Sequence, residues 1–301
     1  MEFPGLNAYL LTPLRDGRPD PGALERLAGR AVHAGVDAVA VLGSTGVGAY
    51  LGRADRAETV RRAVAAAGPV PVLAGVSALR TEDAVRHAED AAAAGAAGLL
   101  LSAMTYQPLT EDEVVGLFAD VGAATGLPVV LYDNPTTTHV AMTERMYTRV
   151  AAAAPVHDVK IPGRSEDDEA ATRARVGRIR AALPPGTGVG ISGDAVATAG
   201  LLAGCDAWHS VLGGTLPRTA ASLTRDAVAA DEALRDRARD ATARLEPLWA
   251  MMRAHGSLRV MAAVAAHLGL ADVDCLPRPL RPLAAGERGR CATIVTELGL
   301  D

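Results

Sequence analysis

Eight short apolar runs recur along this chain, each followed by a turn and, for most, a stretch of helical periodicity. No other feature constrains the fold as tightly. The runs are NAYLL (7–11), DAVAVL (37–42), VPVLA (70–74), AGLLL (97–101), PVVLY (128–132), VHDVK (156–160), GVGIS (188–192) and AWHSV (207–211). From Leu11 to Ser192 their ends are spaced by 31, 32, 27, 31, 28 and 32 residues, the length of one strand–helix unit. The last spacing is 19. The runs are nearly continuous in apolar residues, as parallel strands covered on both faces require. Between them lie amphipathic stretches. PGALERLAGRAVHAG ends on Gly35, a C-cap, and TEDAVRHAEDAAAAG and TEDEVVGLFADVGAATG each open on a Thr/Asp cap and end on glycine.

Eight such units predict an α/β chain, a (β/α)8 TIM barrel. A doubly wound sheet is the alternative, but the G-x-G-x-x-G turn after its first strand is missing. After residue 216 the pattern is helical only. The sequence therefore reads as a barrel over 1–216 and a C-terminal helical region of about three helices over 217–301. Trp208, Trp249 and the Met251–Met252 pair read as core.

Composition narrows the function. Net charge is −5, and no lysine/arginine cluster is interleaved with aromatics, so nucleic acid is not an expected partner. No uncharged apolar run reaches the roughly 18 residues of a membrane span, and MEFPGLNAYLLTPL lacks the basic start of a signal peptide. Cys205, Cys275 and Cys291 are widely spaced and outside any CxxC pattern, which points to a reducing cytoplasm without disulfides. No metal-ligand spacing occurs, so neither a metal nor another cofactor is expected.

In such barrels the site lies at the C-terminal ends of the strands. Those ends carry GSTG (43–46), Tyr106, Tyr132 followed by DNPTTTH, Lys160, SGD (192–194) and the glycines 213–214. A lysine amine, a tyrosine and a hydroxyl-rich glycine turn suit imine chemistry on a 2-oxo acid. The amine attacks the ketone, and the resulting iminium draws electrons from the neighbouring carbon. At an ordinary pKa of about 10.4 roughly one lysine in a few thousand is neutral at pH 7, and burial raises that fraction. Tyrosine can carry protons, and backbone N–H groups with hydroxyls, in a GSTG turn opening a helix, can hold a carboxylate.

GSTG, YDNP (132–135), VKIPG (159–163) and SGD, in this order at consistent strand ends, resemble the dihydrodipicolinate synthase / N-acetylneuraminate lyase family. The likeness spans nearly the whole chain. It implies a Schiff-base lyase acting on pyruvate or another 2-oxo acid with an aldehyde partner, and a homo-oligomer, dimer or tetramer. It implies Lys160 as the imine-forming residue, Tyr132 as proton shuttle, and Ser44 and Thr45 as carboxylate-binding, with Ser44 also in the proton relay and Gly46 in the same turn. Ser192, Thr137, His139 and Tyr106 complete the expected substrate-binding set. The pattern departs at Val47, where the family carries glutamate, and at Thr137, where an arginine would hold the second substrate's carboxylate. The tyrosine that the family lends between subunits aligns with Thr105, beside Tyr106. Dehydration of a 2-keto-3-deoxy sugar acid and non-catalytic ligand binding are the alternatives. Asp158, two residues before Lys160, stands where a small residue is usual. It is read as facing a helix N-terminus from a shifted strand, in preference to facing into the barrel. The glycines 213–214 are read as a tight turn into a helix starting at Pro217, in preference to a phosphate cradle.

Overall fold

The computed structural model describes residues 3–164 and 168–301. Eight parallel strands close into a barrel: β1 (Gly5–Tyr9), β2 (Ala38–Val41), β3 (Val72–Gly75), β4 (Gly98–Leu101), β5 (Val129–Tyr132), β6 (Val156–Pro162), β7 (Gly188–Ser192) and β8 (Ala207–Ser210). Each apolar run of the sequence overlaps one strand, and their ends agree within two residues. A two-stranded hairpin, Leu14–Arg15 with Arg18–Pro19, follows β1.

The outer ring is α1 (Pro21–His33), α2 (Arg53–Ala67), α3 (Thr81–Ala93), α4 (Glu111–Thr125), α5 (Glu144–Ala153), α6 (Glu169–Ala182), α7 (Ala197–Leu202) and α8 (Pro217–Ala227). The short last spacing has a simple cause: a 3-10 turn (Asp194–Val196) and the six-residue α7 fill it. Thr110 caps α4 through a reciprocal box with Glu113, and Gly126 ends it in the left-handed region. At α3 the expected cap differs. Arg80 holds the cap position without a side-chain bond, and Thr81 is already helical.

The segment after residue 216 holds five helices rather than three. The first, α8, packs against β1 and α1 and completes the barrel's ring. The others are α9 (Glu232–Arg244), α10 (Glu246–His255), α11 (Ser257–His267) and α12 (Ala285–Leu298). The long helical stretch is broken at three places: after Ala227, where Asp231 caps α9; at Leu245; and at Gly256, whose φ is +81°. α10 packs on the turn after β7, next to the barrel mouth. No helix among the described residues is long and apolar enough to cross a membrane.

Two apolar cores result. The larger lies between strands and helices, where Trp249 and Met251 are buried. Trp208 is also buried there. The smaller fills the barrel with Phe3, Tyr9, Ala38, Ala40, Leu73, Leu100, Val130 and Tyr132. Period-two alternation places Asp158 and Lys160 on this inner side of β6.

Strand ends near the mouth are packed backbone to backbone. Leu42 has φ +61°, and a Cβ on Gly75 would come within 2.2 Å of the Leu42 carbonyl oxygen. Gly75→Ala is expected to destabilise the fold by about 3 kcal/mol, because rigid backbone on both sides cannot yield. Urea-unfolding midpoints of the two proteins measure this.

Candidate active site

Lys160 lies on β6 between Tyr132 of β5 and Gly190 of β7. It is buried, at 4 % exposure. Its Nζ stands 4.1 Å from the centroid of the Tyr132 ring and 3.8 Å from that of Tyr9. Removal from water drives its pKa down to about 7, while the Asp194 and Asp158 carboxylates pull the other way. An amine near neutrality at pH 7 is what attack on a ketone requires.

Tyr132 is aligned from two sides. The Asn134 side-chain amide donates to its hydroxyl oxygen at 2.6 Å. The Tyr132 hydroxyl and Ser44 Oγ are 3.1 Å apart. With Asn134 supplying one proton to the phenolic oxygen, the remaining hydrogen bond to Ser44 can run in either direction, as a proton relay requires. A tyrosine–serine pair beside a lysine amine can move a proton between the reacting centre and the open mouth.

The GSTG turn is built differently from expectation. It does not open a helix. A turn and a 3-10 helix (Gly48–Tyr50) follow, and α2 starts only at Arg53. The close packing comes from glycine: a Cβ on Gly46 would sit 2.5 Å from the Leu42 nitrogen. Arg56, buried in α2, clasps the turn from behind by donating to the Gly48 carbonyl and, at 2.7 Å, to that of Gly75. Burial brings its pKa down to about 10, which leaves it charged at neutral pH. Ser44 is exposed to the mouth and Thr45 is buried.

Beside this triad lies a cleft lined by Leu42, Gly43, Ser44, Ala49, Gly75, Ser77, Leu100, Ser102, Met104, Tyr132, Thr137 and Thr138. Thr137 is therefore at the site. Its neighbour His139, φ +61°, ends the one-turn helix Pro135–Thr138, is exposed and does not line the cleft. Ser192 donates to the Ile161 carbonyl at 3.0 Å, so its hydroxyl braces β6. Tyr106 is 88 % exposed and is also outside the cleft. The glycines 213–214 form a tight 3-10 turn before Pro217, where a Cβ on Gly214 would strike the Tyr9 carbonyl. Among the described residues no group of three or more metal-binding side chains occurs.

Three residues were not singled out from sequence: Tyr9, His209 and Asp194. Asp194 accepts from Trp208 Nε1 (3.0 Å), Ser210 Oγ (3.2 Å), Val211 N (3.2 Å) and Leu212 N (2.8 Å). Burial pushes its carboxyl up, and these four donors oppose that. SGD, a strand-end motif in the family resemblance, was the available signal for Asp194. Asp158 corrects an expectation. It does not face a helix N-terminus: it is buried inside the barrel, its Oδ2 3.0 Å from His209 Nε2. The register between β5 and β6 does shift, between Val129 and Val130, but upstream of the pairing that seats Asp158 opposite Val130.

Comparisons with known proteins agree with this architecture. Residues 2–298 match the family model of the dihydrodipicolinate synthetase family. The 4-hydroxy-tetrahydrodipicolinate synthase of Anaeromyxobacter sp. is 30% identical over 298 residues, covering 98% of this chain and 97% of the relative. That of Methylococcus capsulatus is 33% identical over 227 residues, covering 74% and 75%. The crystal structure of a dihydrodipicolinate synthase from Agrobacterium tumefaciens superimposes with a TM-score of 0.92 at 38% identity, covering 98% of each chain. The chain belongs to the dihydrodipicolinate synthetase family and is a carbon–carbon lyase.

Proposed function

We propose that this lyase works through an imine between Lys160 and a 2-oxo acid, pyruvate in the first instance, and makes or breaks a carbon–carbon bond with an aldehyde. The observation that carries this reading is the buried Lys160 amine, held near neutrality and set beside the Tyr132–Ser44 pair. In outline, the neutral amine adds to the ketone and water leaves as the iminium forms. A proton then leaves C3 to give an enamine, whose carbon attacks the aldehyde. Tyr132 carries protons at these steps, through Ser44 to the mouth. Ser44 and Thr45, with the backbone of the turn at Gly46, hold the carboxylate.

The acceptor side supports an uncharged aldehyde. Among the described residues the cleft lining is serine, threonine, tyrosine, methionine, leucine, alanine and glycine, with no cationic side chain. A carboxylated aldehyde would lose its hydration there without a charged partner. Thr137, where the family pattern has arginine, is part of this lining. Pyruvate with short uncharged or hydroxylated aldehydes is expected to turn over at least about tenfold faster, in kcat/KM, than with an aldehyde bearing a carboxylate, a difference of about 1.4 kcal/mol in transition-state binding. Aldehyde consumption across such a panel measures this.

Exposed Tyr106, with Leu79 and Leu109 also exposed, supports a homo-oligomer that covers them. Three free, buried cysteines suit the reducing cytoplasm.

The first half-reaction tests the reading without any choice of aldehyde. In D2O the enamine takes deuterium, so the protein exchanges the methyl protons of pyruvate, and the NMR methyl signal decays. The exchange rate should rise about tenfold per pH unit below pH 7 and level off above it, as the amine deprotonates. The absence of exchange would favour a ligand-binding relative. A profile still rising at pH 9 would contradict the lowered lysine.

A further inference from the structure

Beneath Lys160 the barrel interior holds a file of three polar side chains from three strands. The Tyr9 hydroxyl of β1 is 3.1 Å from His209 Nδ1 of β8, and His209 Nε2 is 3.0 Å from Asp158 Oδ2 of β6. The Tyr9 ring, packed edge to face on the imidazole, turns its own face to the Lys160 amine. The neighbouring strand makes room for the file. A Cβ on Gly190 would lie 2.3 Å from His209 Nε2, and one on Gly188 would lie 3.1 Å from Asp158 Oδ1. Both glycines are on the inner face of β7, so "GVG" in that strand is the space these side chains fill.

Burial sets the charge states of Tyr9 and His209. Burial holds the Tyr9 hydroxyl well above its usual pKa, so it keeps its proton, and it shares a hydrogen bond with His209 Nδ1 whose direction the imidazole tautomer sets. Burial likewise lowers the imidazole's pKa, against the pull of Asp158, so His209 is neutral and stands between the Tyr9 hydroxyl and the Asp158 carboxylate. The face of the Tyr9 ring, the negative side of its quadrupole, is what the amine meets.

We propose that Tyr9, His209 and Asp158 are positioning residues that hold an electron-rich ring face and a buried negative charge under Lys160, and so favour its positively charged iminium over the neutral adduct. This rests on the imine reading above. The arrangement opposes desolvation. The barrel keeps the free amine neutral enough to attack, and the file supplies the attraction that the iminium needs once it forms. The titratable groups that face Lys160 are Tyr132 from the neighbouring strand β5, Tyr9 and His209 from β1 and β8 across the barrel, Asp158 from its own strand, and Asp194 from the turn after β7.

The test separates the free amine from the imine. Pulse labelling with acetic anhydride without substrate, read at the Lys160 peptide by mass spectrometry across pH, gives the midpoint of the amine. Asp158→Asn and Tyr9→Leu should each lower that midpoint by about one pH unit, and Tyr9→Phe, which keeps the ring, by less. At the same time the fraction trapped by borohydride at subsaturating pyruvate should fall about tenfold in Asp158→Asn, although its amine is more often neutral. A merely structural role would not move the two readouts in opposite senses. Should Asp158→Asn fail to fold, His209→Gln, which breaks the file at its centre, carries the same decision. Coinciding midpoints in wild type and variants would overturn the file's role even where imine forms. A wild-type protein that traps no pyruvate would instead overturn the imine reading, whatever the midpoints.

Discussion

Lys160→Met should abolish turnover and also make the protein more stable. The loss of activity should be on the order of 10⁴-fold or more, because Lys160 is the only lysine in the sequence. The gain in stability follows from the cost of burying an amine. Folding lowers the lysine pKa from 10.5 to about 7. The unfolded chain therefore binds a proton that the folded protein holds less tightly. Below pH 7 both states are protonated and the full penalty applies. It fades as pH rises from 7 toward 10.5, where both states become neutral. Methionine has a similar length and no charge, so the variant should be a few kcal/mol more stable at pH 7, with the gap closing at alkaline pH. Thermal melts at pH 7 and pH 10 check the sign. Lys160→Arg is the contrasting variant. It keeps a cation that never becomes a nucleophile, so it should be inactive without the gain in stability.

Tyr132→Phe should lower kcat by about 10²–10⁴-fold, the usual contribution of a positioned proton carrier. Its effect on pyruvate binding should be small, because the ring that packs beside Lys160 remains. The Ser44 hydroxyl 3.1 Å from the phenol lies next along the same path, so Ser44→Ala should lower kcat too, and the double variant should lose little more than Tyr132→Phe alone. Fully additive losses would show that the two hydroxyls act separately. The pyruvate exchange rate in D2O reads all three variants without interference from the aldehyde step.

The barrel was legible in the sequence because parallel strands covered on both faces leave continuous apolar runs, and the connections have a narrow range of lengths. The meeting of Lys160 and Tyr132 at one end of the barrel was legible for the same reason. Once Lys160 and Tyr132 end adjacent runs, the barrel's geometry brings them together, and β5 pairs Tyr132 directly with Lys160. The helical region was less legible. Its breaks depend on caps such as Asp231 and on the left-handed Gly256, which interrupt a pattern that otherwise reads as continuous. The layer below Lys160 was hidden for another reason. Tyr9 and His209 are 200 positions apart and each sits in an ordinary apolar run, so only the closure of β1 on β8 brings them together. Asp158 was noticed as unusual, but its partner lies on a strand two places round the barrel, across the gap left by Gly190. Local sequence contains no trace of that pairing, and the cheaper reading, a carboxylate at a helix end, was the wrong one.

The proposed mechanism depends on a covalent bond at one nitrogen. Incubating the protein with pyruvate, reducing with borohydride and mapping the peptides by mass spectrometry locates it. The expected result is a reduced, pyruvate-derived adduct on Lys160, dependent on pyruvate and absent from Lys160→Met. No adduct, or an adduct on an amine other than Lys160, would contradict the mechanism.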